Sequence, residues 1–164
     1  MSTTLPDKES VLREKADHPA VVAIINWKPE ALAEACWDRN ELTLTIAREE
    51  IVGAGFAVQK AGYNFLEDVT AVDWLPASPR FQVSYHIVSH SHKERIRLRV
   101  MVDDKRPSLD TITSVWPSAN YYEREVFDLF GIRFDGHPNL RRIMMPEEWE
   151  GHPLRKDYPV EGYR

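Results

Sequence analysis

Between Tyr121 and Pro159 the chain gathers Glu123, Glu125 and Asp128, then His137 and His152, then the basic pairs Arg141-Arg142 and Arg155-Lys156, with Trp149 and Tyr158 among them. Closely spaced carboxylates are what general acid–base chemistry needs, and histidine is the side chain that exchanges protons near neutrality. Helix chemistry accounts for the same residues without a reaction. Glu123 stands three residues after Asn120, where the two can close a capping box, and Arg124 reaches Asp128 at four-residue spacing. Serine and cysteine nucleophile motifs are absent, as is a Walker-type phosphate loop. The sequence therefore leads us to expect no catalytic, cofactor-binding or metal-binding residue here. A reading of a different class, a small metal-dependent hydrolase, would have to rest on His86, His90 and His92. His90 and His92 lie two apart in a turn, with neither a nearby cysteine pair nor a helical His-Glu-x-x-His to support them.

The basic pairs could follow a phosphate backbone, but Glu147, Glu148, Glu150 and Asp157 dilute them and the sequence pI is about 5.7. Nucleic acid is not the expected partner. The frame Gly136-His137-Pro138-Asn139-Leu140-Arg141-Arg142 is echoed by Gly151-His152-Pro153-Leu154-Arg155-Lys156. Four of the seven glycines and four of the eleven prolines fall between Gly131 and Arg164. Large apolar residues are too thinly spread there to offset the ordering of an extended chain by themselves. The expectation is a tail that wraps a neighbouring protein, its basic pairs meeting carboxylates on that neighbour.

The elements that must carry these residues are legible upstream. A length of 164 residues at 43% hydrophobic content suits one globular domain. The formal charge of -5 is uneven: residues 1–90 hold 8 basic against 13 acidic side chains, and residues 91–164 hold 13 of each. Cys36 is the single cysteine, which excludes an internal disulfide and a self-contained iron–sulfur cluster. Its place in a strand suggests a small core residue. Apolar runs fall well short of the ~18 residues a spanning helix needs, and no signal peptide opens the chain, so membrane association is expected only through partners.

Residues 1–18 read as a flexible N-terminal segment, followed by a helix from Pro19 to Trp27. Leu32 and Cys36, then Leu42, Leu44 and Ile46, alternate across an Arg39-Asn40 turn as a hairpin. Residues 47–60 read as a helix in which Gly53 and Gly55 allow close packing on a sheet; a dinucleotide loop is the weaker alternative, because Val58 replaces the third glycine. A strand follows from Phe65 to Trp74. A clear hairpin then alternates Phe81, Val83, Tyr85 and Ile87 with polar residues, and Ile96, Leu98, Val100 and Val102 with Arg95, Arg97 and Arg99. Those three arginines fit a solvated or partner-covered sheet face better than a phosphate site. A helix beginning near Asn120 ends at Gly131, where a left-handed residue is wanted. The fold class is α+β: a mostly antiparallel sheet with helices packed on one face over residues 19–131, followed by an extended partner-binding tail over 132–164.

The run Glu123-Arg124-Glu125-Val126-Phe127-Asp128-Leu129-Phe130-Gly131-Ile132-Arg133-Phe134, then His137-Pro138-Asn139-Leu140-Arg141-Arg142-Ile143, then Gly151-His152-Pro153-Leu154-Arg155-Lys156-Asp157-Tyr158-Pro159 closely resembles the C subunit of the bacterial proton-pumping NADH-quinone oxidoreductase, respiratory complex I. The similarity is detailed from about Asp68 onward and includes Thr113-Ser114-Val115-Trp116-Pro117, whereas residues 1–60 match in pattern alone. The resemblance implies a structural subunit without a redox centre in the peripheral arm, on the cytoplasmic side of the cell inner membrane. It also implies FMN and iron–sulfur clusters in partner subunits and none in this chain. The implied partners are chiefly the D subunit, with the B and I subunits. Arg124, Asp128, His137, Leu140, Arg141, Arg142, Trp149, His152, Leu154, Arg155, Lys156 and Tyr158 are then the expected partner contacts, with Asn120, Glu123, Glu125 and Gly131 as caps and network. A chain ending five residues after Pro159 matches neither the longer-tailed form nor the form fused to the D subunit. Related ferredoxin- or F420-linked quinone oxidoreductases and membrane-bound hydrogenases use a similar subunit and form the alternative within the resemblance.

Overall fold

In the computed structural model, which describes residues 8–162, the elements follow one another as α1 (Lys8–Glu14), α2 (Pro19–Trp27), β1 (Leu32–Asp38), β2 (Glu41–Ile46), α3 (Ile51–Lys60), β3 (Phe65–Asp73), β4 (Phe81–Ser89), β5 (Glu94–Val102), β6 (Ser108–Asp110), α4 (Ala119–Phe130) and β7 (Arg133–Asp135). Strict alternation makes the β4–β5 hairpin the centre of the sheet. Phe81, Val83, Tyr85 and Ile87 face Ile96, Leu98, Val100 and Val102 on one side, all 0% exposed. Each such side chain is worth about 1.5–3 kcal/mol of transfer energy. The sheet order is β1-β2-β5-β4-β3, antiparallel except where β2 lies parallel to β5. That parallel step had no signal in the sequence, because β2 and β5 are separated by α3, β3 and β4. The α+β class holds.

The β1–β2 hairpin turns at Arg39 and Asn40, whose φ angles of 49° and 62° are the left-handed pair that a two-residue turn requires. A bulge between Leu32 and Glu34 shifts the register of β1, so Ala35 turns into the core and Cys36 pairs with Thr43 on the opposite face. Cys36 is half-buried there, not the core residue its strand position suggested.

Three other expectations are corrected. Residues 8–14 of the supposedly loose 1–18 segment form α1, because Val11 is buried and Leu12 packs beside it; Lys15 continues the contact with its ammonium 3.7 Å from the Trp37 ring centre. Residues 1–7 and 163–164 lie outside the described residues. Gly53 and Gly55 do allow close packing, but of α3 on other partners than the sheet. A Cβ at Gly53 would lie 2.1 Å from the Trp27 ring of α2, and one at Gly55 would lie 3.2 Å from Trp116. The domain also runs past Gly131: β7 pairs in parallel with β6, and Ile132 and Phe134 are 0% and 2% exposed.

His18 caps α2 through a neutral ring. Its Nδ1 accepts from Ala20 N–H at 3.3 Å, and Nε2 lies 3.4 Å from Glu94. Burial, working against the pull of Glu94, holds its pKa below the usual histidine value. His18→Ala should cost about 1 kcal/mol near pH 7. A depressed folded-state pKa means that this stability is present above pH ~6.5 and lost as pH falls through the lowered value. His18→Asn keeps an acceptor without the titration. Urea melts at pH 7 and pH 5 should show wild type losing ground to His18→Asn in acid; parallel behaviour of the two would refute the cap.

Candidate functional site

Four carbonyls at the end of an α-helix have no partner inside it. In α4 the chain that follows supplies all four. Gly131, with φ 73°, donates its N–H to Phe127 O at 2.9 Å. His152 Nδ1 donates to Asp128 O at 2.8 Å, Leu154 N–H to Leu129 O at 3.0 Å, and Arg155 Nε to Phe130 O at 2.6 Å. The second Gly-His-Pro segment is thus the cap of α4, with an arginine at the negative end of the helix dipole. A Cβ at Gly131 would lie 2.5 Å from the His152 ring, so that position needs glycine for space as well as for φ.

Asp128 is the second anchor. Its side chain is 0% exposed, with one oxygen accepting from Ile143, Met144 and Met145 N–H at 3.0, 2.8 and 2.9 Å, and the other accepting from Arg142 at 2.6 Å. Burial opposes the charge, and the three amides with Arg142 outweigh it, so the carboxyl stays below its ordinary pKa. Arg142 also donates to Trp149 O and Gly151 O at 2.8 and 2.9 Å, closing the loop between the two Gly-His-Pro frames.

The third anchor lies on the sheet. Arg80 and Asp73, with side chains 5% and 2% exposed, form a bidentate pair at 2.9 and 2.8 Å. Arg80 also reaches Asp157 at 2.6 Å and Asp104 at 3.2 Å, and Asp73 accepts from Lys156 N–H at 2.8 Å. Arg80 and Arg155 both stack over the Phe81 ring, 4.8 and 5.2 Å from its centre. Neither Asp73 nor Arg80 stood out in the sequence. A buried arginine looks like any other until the chain that covers it is placed.

The expected roles shift accordingly. Asn120 lies inside α4, not at its cap; Ser118 occupies the cap position without a side-chain bond, and Glu123 turns inward. There Glu123 accepts from Ile112 N–H at 2.8 Å and from the Thr111 hydroxyl, which a capping box could not allow. Arg124 does not pair with Asp128: it is buried and donates to Arg141 O and Arg142 O at 3.2 and 3.1 Å. His137 reaches Asn120 O at 3.1 Å. The ionic groups expected to meet a neighbour, namely Arg124, Asp128, Arg142 and Arg155, with His137 and His152, are spent on the chain's own backbone and carboxylates. Leu140 and Tyr158 are half-buried. Glu125, Arg141 and Lys156 are exposed, as are Tyr121 at 63%, Met144 at 62%, Leu154 at 51%, Ile143 at 39% and Trp149 at 38%. The segment keeps its polar side in and its apolar side out.

The histidines of the hydrolase reading do not converge. His86 accepts from Arg97 on the sheet, His90 packs edge-on against Phe65, and His92 lies against Tyr63 and Ala61 O. Among the described residues no group of three or more His, Cys, Asp or Glu is placed to hold a metal ion. On the open sheet face a groove of about 870 Å³ is lined in part by Cys36, Thr43 and the three arginines. Those arginines are matched within the chain: Arg95 pairs with Glu41 and Glu67 at 2.8 and 3.2 Å, Arg97 with Glu41, and Arg99 with Glu34 at 2.8 Å. Their charge is not available to a phosphate.

Comparison with known proteins agrees with this architecture. Residues 44–164 match the family model described as "Respiratory-chain NADH dehydrogenase, 30 Kd subunit". The C subunit of NADH-quinone oxidoreductase from Roseiflexus sp. (strain RS-1) is 47% identical over 135 residues, covering 80% of this chain and 78% of that one. Among solved structures, the trypsin-resistant fragment (1-134) of Nqo5 superposes with a TM-score of 0.66 at 32% identity, covering 74% of this chain and 99% of that one. A chain of the archaeal membrane-bound sulfane sulfur reductase shares the fold, with a TM-score of 0.73 at 22% identity over 93% of this chain and 85% of that one. With three-quarters of its length inside the family model and a relative 47% identical over 80% of it, the chain belongs to the family of the 30 kDa subunit of respiratory-chain NADH dehydrogenase.

Proposed function

We propose that this chain is a structural subunit, without a redox centre, of the peripheral arm of an NADH-quinone oxidoreductase, and that its docked C-terminal segment is a surface for the other subunits. One observation carries the reading: Ile143, Met144, Trp149 and Leu154 point outward from a segment whose backbone is fixed by buried charges beneath it. Ordering such a segment in advance removes entropy that association would otherwise have to offset. Membership of the family implies other complex I subunits as partners, and the finer reading names the D subunit first, with the B and I subunits beside it. FMN and the iron–sulfur clusters then belong to those partners. A chain with one cysteine cannot supply the roughly four thiolates a cluster takes. Among the described residues no helix is long and apolar enough to cross a membrane. We place the chain on the cytoplasmic face of the cell inner membrane, held there through the complex.

The surface reading separates from mere folding by substitution on the outer side. The exposed side chains of Met144 and Leu154 point away from the anchors to which their backbone amides donate, so with Met144→Ser and Leu154→Ser, which add no charge, the purified chain should keep its unfolding midpoint. Co-expressed with its partner subunits, each variant should associate at least tenfold more weakly, the effect of losing an apolar hot spot. Wild-type association of both variants, measured by pull-down and native gel, would remove the segment from the interface.

A further inference from the structure

At the root of the docked segment lies a carboxyl group that meets no lysine or arginine among the described residues. Glu123 projects from α4 between β4, the loop after β6 and the chain just beyond β7, and both its side chain and that of His137 are 0% exposed. His137 Nε2 is 3.9 Å from Glu123, yet it is directed to Asn120 O at 3.1 Å, while Nδ1 accepts from Asn139 N–H at 3.0 Å. Those two bonds use both nitrogens of a neutral ring. From β4 comes the Tyr85 hydroxyl, which is buried, finds no hydrogen-bond partner among the described residues, and lies close enough to feel a charge on Glu123. The β6 loop contributes Thr111, whose hydroxyl meets Glu123 on one side and Thr113 at 3.0 Å on the other. Tyr85 and His137 are thus the titratable groups that face Glu123, and neither brings a positive charge to it.

We propose that Glu123 is a proton-operated latch: its carboxyl form lets the segment bearing His137 close over the helix, and its carboxylate form loosens that closure. A carboxylic acid fits the observed partners, since it keeps oxygen lone pairs to accept from the Thr111 hydroxyl and Ile112 N–H while carrying no charge into the buried site. The carboxylate would have to remain desolvated with only one amide and one hydroxyl for company, and it regains water when His137 withdraws. Burial accordingly pushes the Glu123 pKa up to about 7, against the pull of Thr111 and Ile112. The carboxylate anchors do not move in that range: Asp128, Asp73 and Asp157 are held below the ordinary carboxylate pKa.

The sign follows from proton linkage. A group whose pKa is raised in the closed state stabilises closure below its open-state pKa of 4.5 and loses that contribution progressively as pH rises through the raised value. Between pH 6 and pH 8 the closing equilibrium should weaken about tenfold. Hydrogen exchange on the full chain, corrected for intrinsic rates, reads this directly. Protection of the His137 and Asn139 amides should fall about tenfold over that interval, while those of β4 and β5, and of Ile143 to Met145 on Asp128, hold. Glu123→Gln, which cannot ionise, should show the same protection at both pH values. Equal pH responses in wild type and variant, or no response in wild type, would overturn the latch. Carbon-13 carboxyl titration of the wild-type chain stands independently of whether the variant folds: a Glu123 midpoint near 7 supports the proposal and one in the ordinary carboxylate range ends it.

Discussion

Asp128→Asn is expected to free the chain from Arg141 onward while the five-stranded sheet stays folded. One carboxylate oxygen receives three successive amides and the other receives Arg142, so the substitution sets an amide NH2 against donors and removes the charge that Arg142 neutralises. Each buried donor left without an acceptor costs about 1–3 kcal/mol, and breaking a buried ion pair costs about 3–5 kcal/mol. The asparagine oxygen can recover part of this, so the loss should sit near the lower end, at about 3 kcal/mol. Amide exchange at Ile143, Met144 and Met145 should then accelerate on the order of a hundredfold, with β4 and β5 unaffected. Because the Asp128 pKa is depressed in the folded state, its contribution is present above the ordinary carboxylate range and lost as pH falls through the lowered value. Wild type and variant should therefore converge in acid. Unchanged exchange at those three amides would mean that Asp128 does not hold the segment.

What the sequence disclosed and what it hid divide along the range of the interactions. Alternation over Phe81–Ser89 and Glu94–Val102, the Arg39-Asn40 turn and the glycine closing α4 are local patterns, and each appears where it was expected. Pairing at a distance had no such signature. The parallel contacts β2–β5 and β6–β7 join segments more than 20 residues apart, and a one-residue bulge was enough to move Cys36 off the core face. The density of charge after Tyr121 was legible. Its destination was not. Arg124 and Asp128 stand four apart and could satisfy each other, but backbone groups of the following segment outcompete that surface pair, whose worth is only about 0.3–0.5 kcal/mol. An extended tail was expected to need a neighbour because its own apolar side chains bury too little; the structure orders it with polar anchors instead, leaving several of those apolar side chains exposed.

Arg80 carries the second large effect, because it joins the sheet to the far end of that segment. The Asp73 carboxylate, which Arg80 holds below the usual range, is nearly inaccessible to water. Arg80→Met keeps an unbranched side chain without the guanidinium, and among the described residues Asp73 then keeps only the amides of Leu75 and Lys156 as donors. Losing one member of a buried pair costs about 3–5 kcal/mol. Asp157 is a control of the same chemistry in a different setting, since its side chain is 52% exposed and water can replace the guanidinium. Asp157→Asn should cost at most about 1 kcal/mol, and its effect should shrink in salt. The depressed pKa of Asp73 adds a pH signature: the Arg80 contribution persists above the ordinary carboxylate range and fades as pH falls through the lowered value. Urea denaturation of both variants at low and high salt distinguishes the two contacts. A salt-insensitive loss several times larger for Arg80→Met than for Asp157→Asn identifies the buried pair as the anchor. Equal losses that both vanish in salt would assign the anchoring to surface attraction and leave the Lys156 amide as the main contact between Asp73 and the segment.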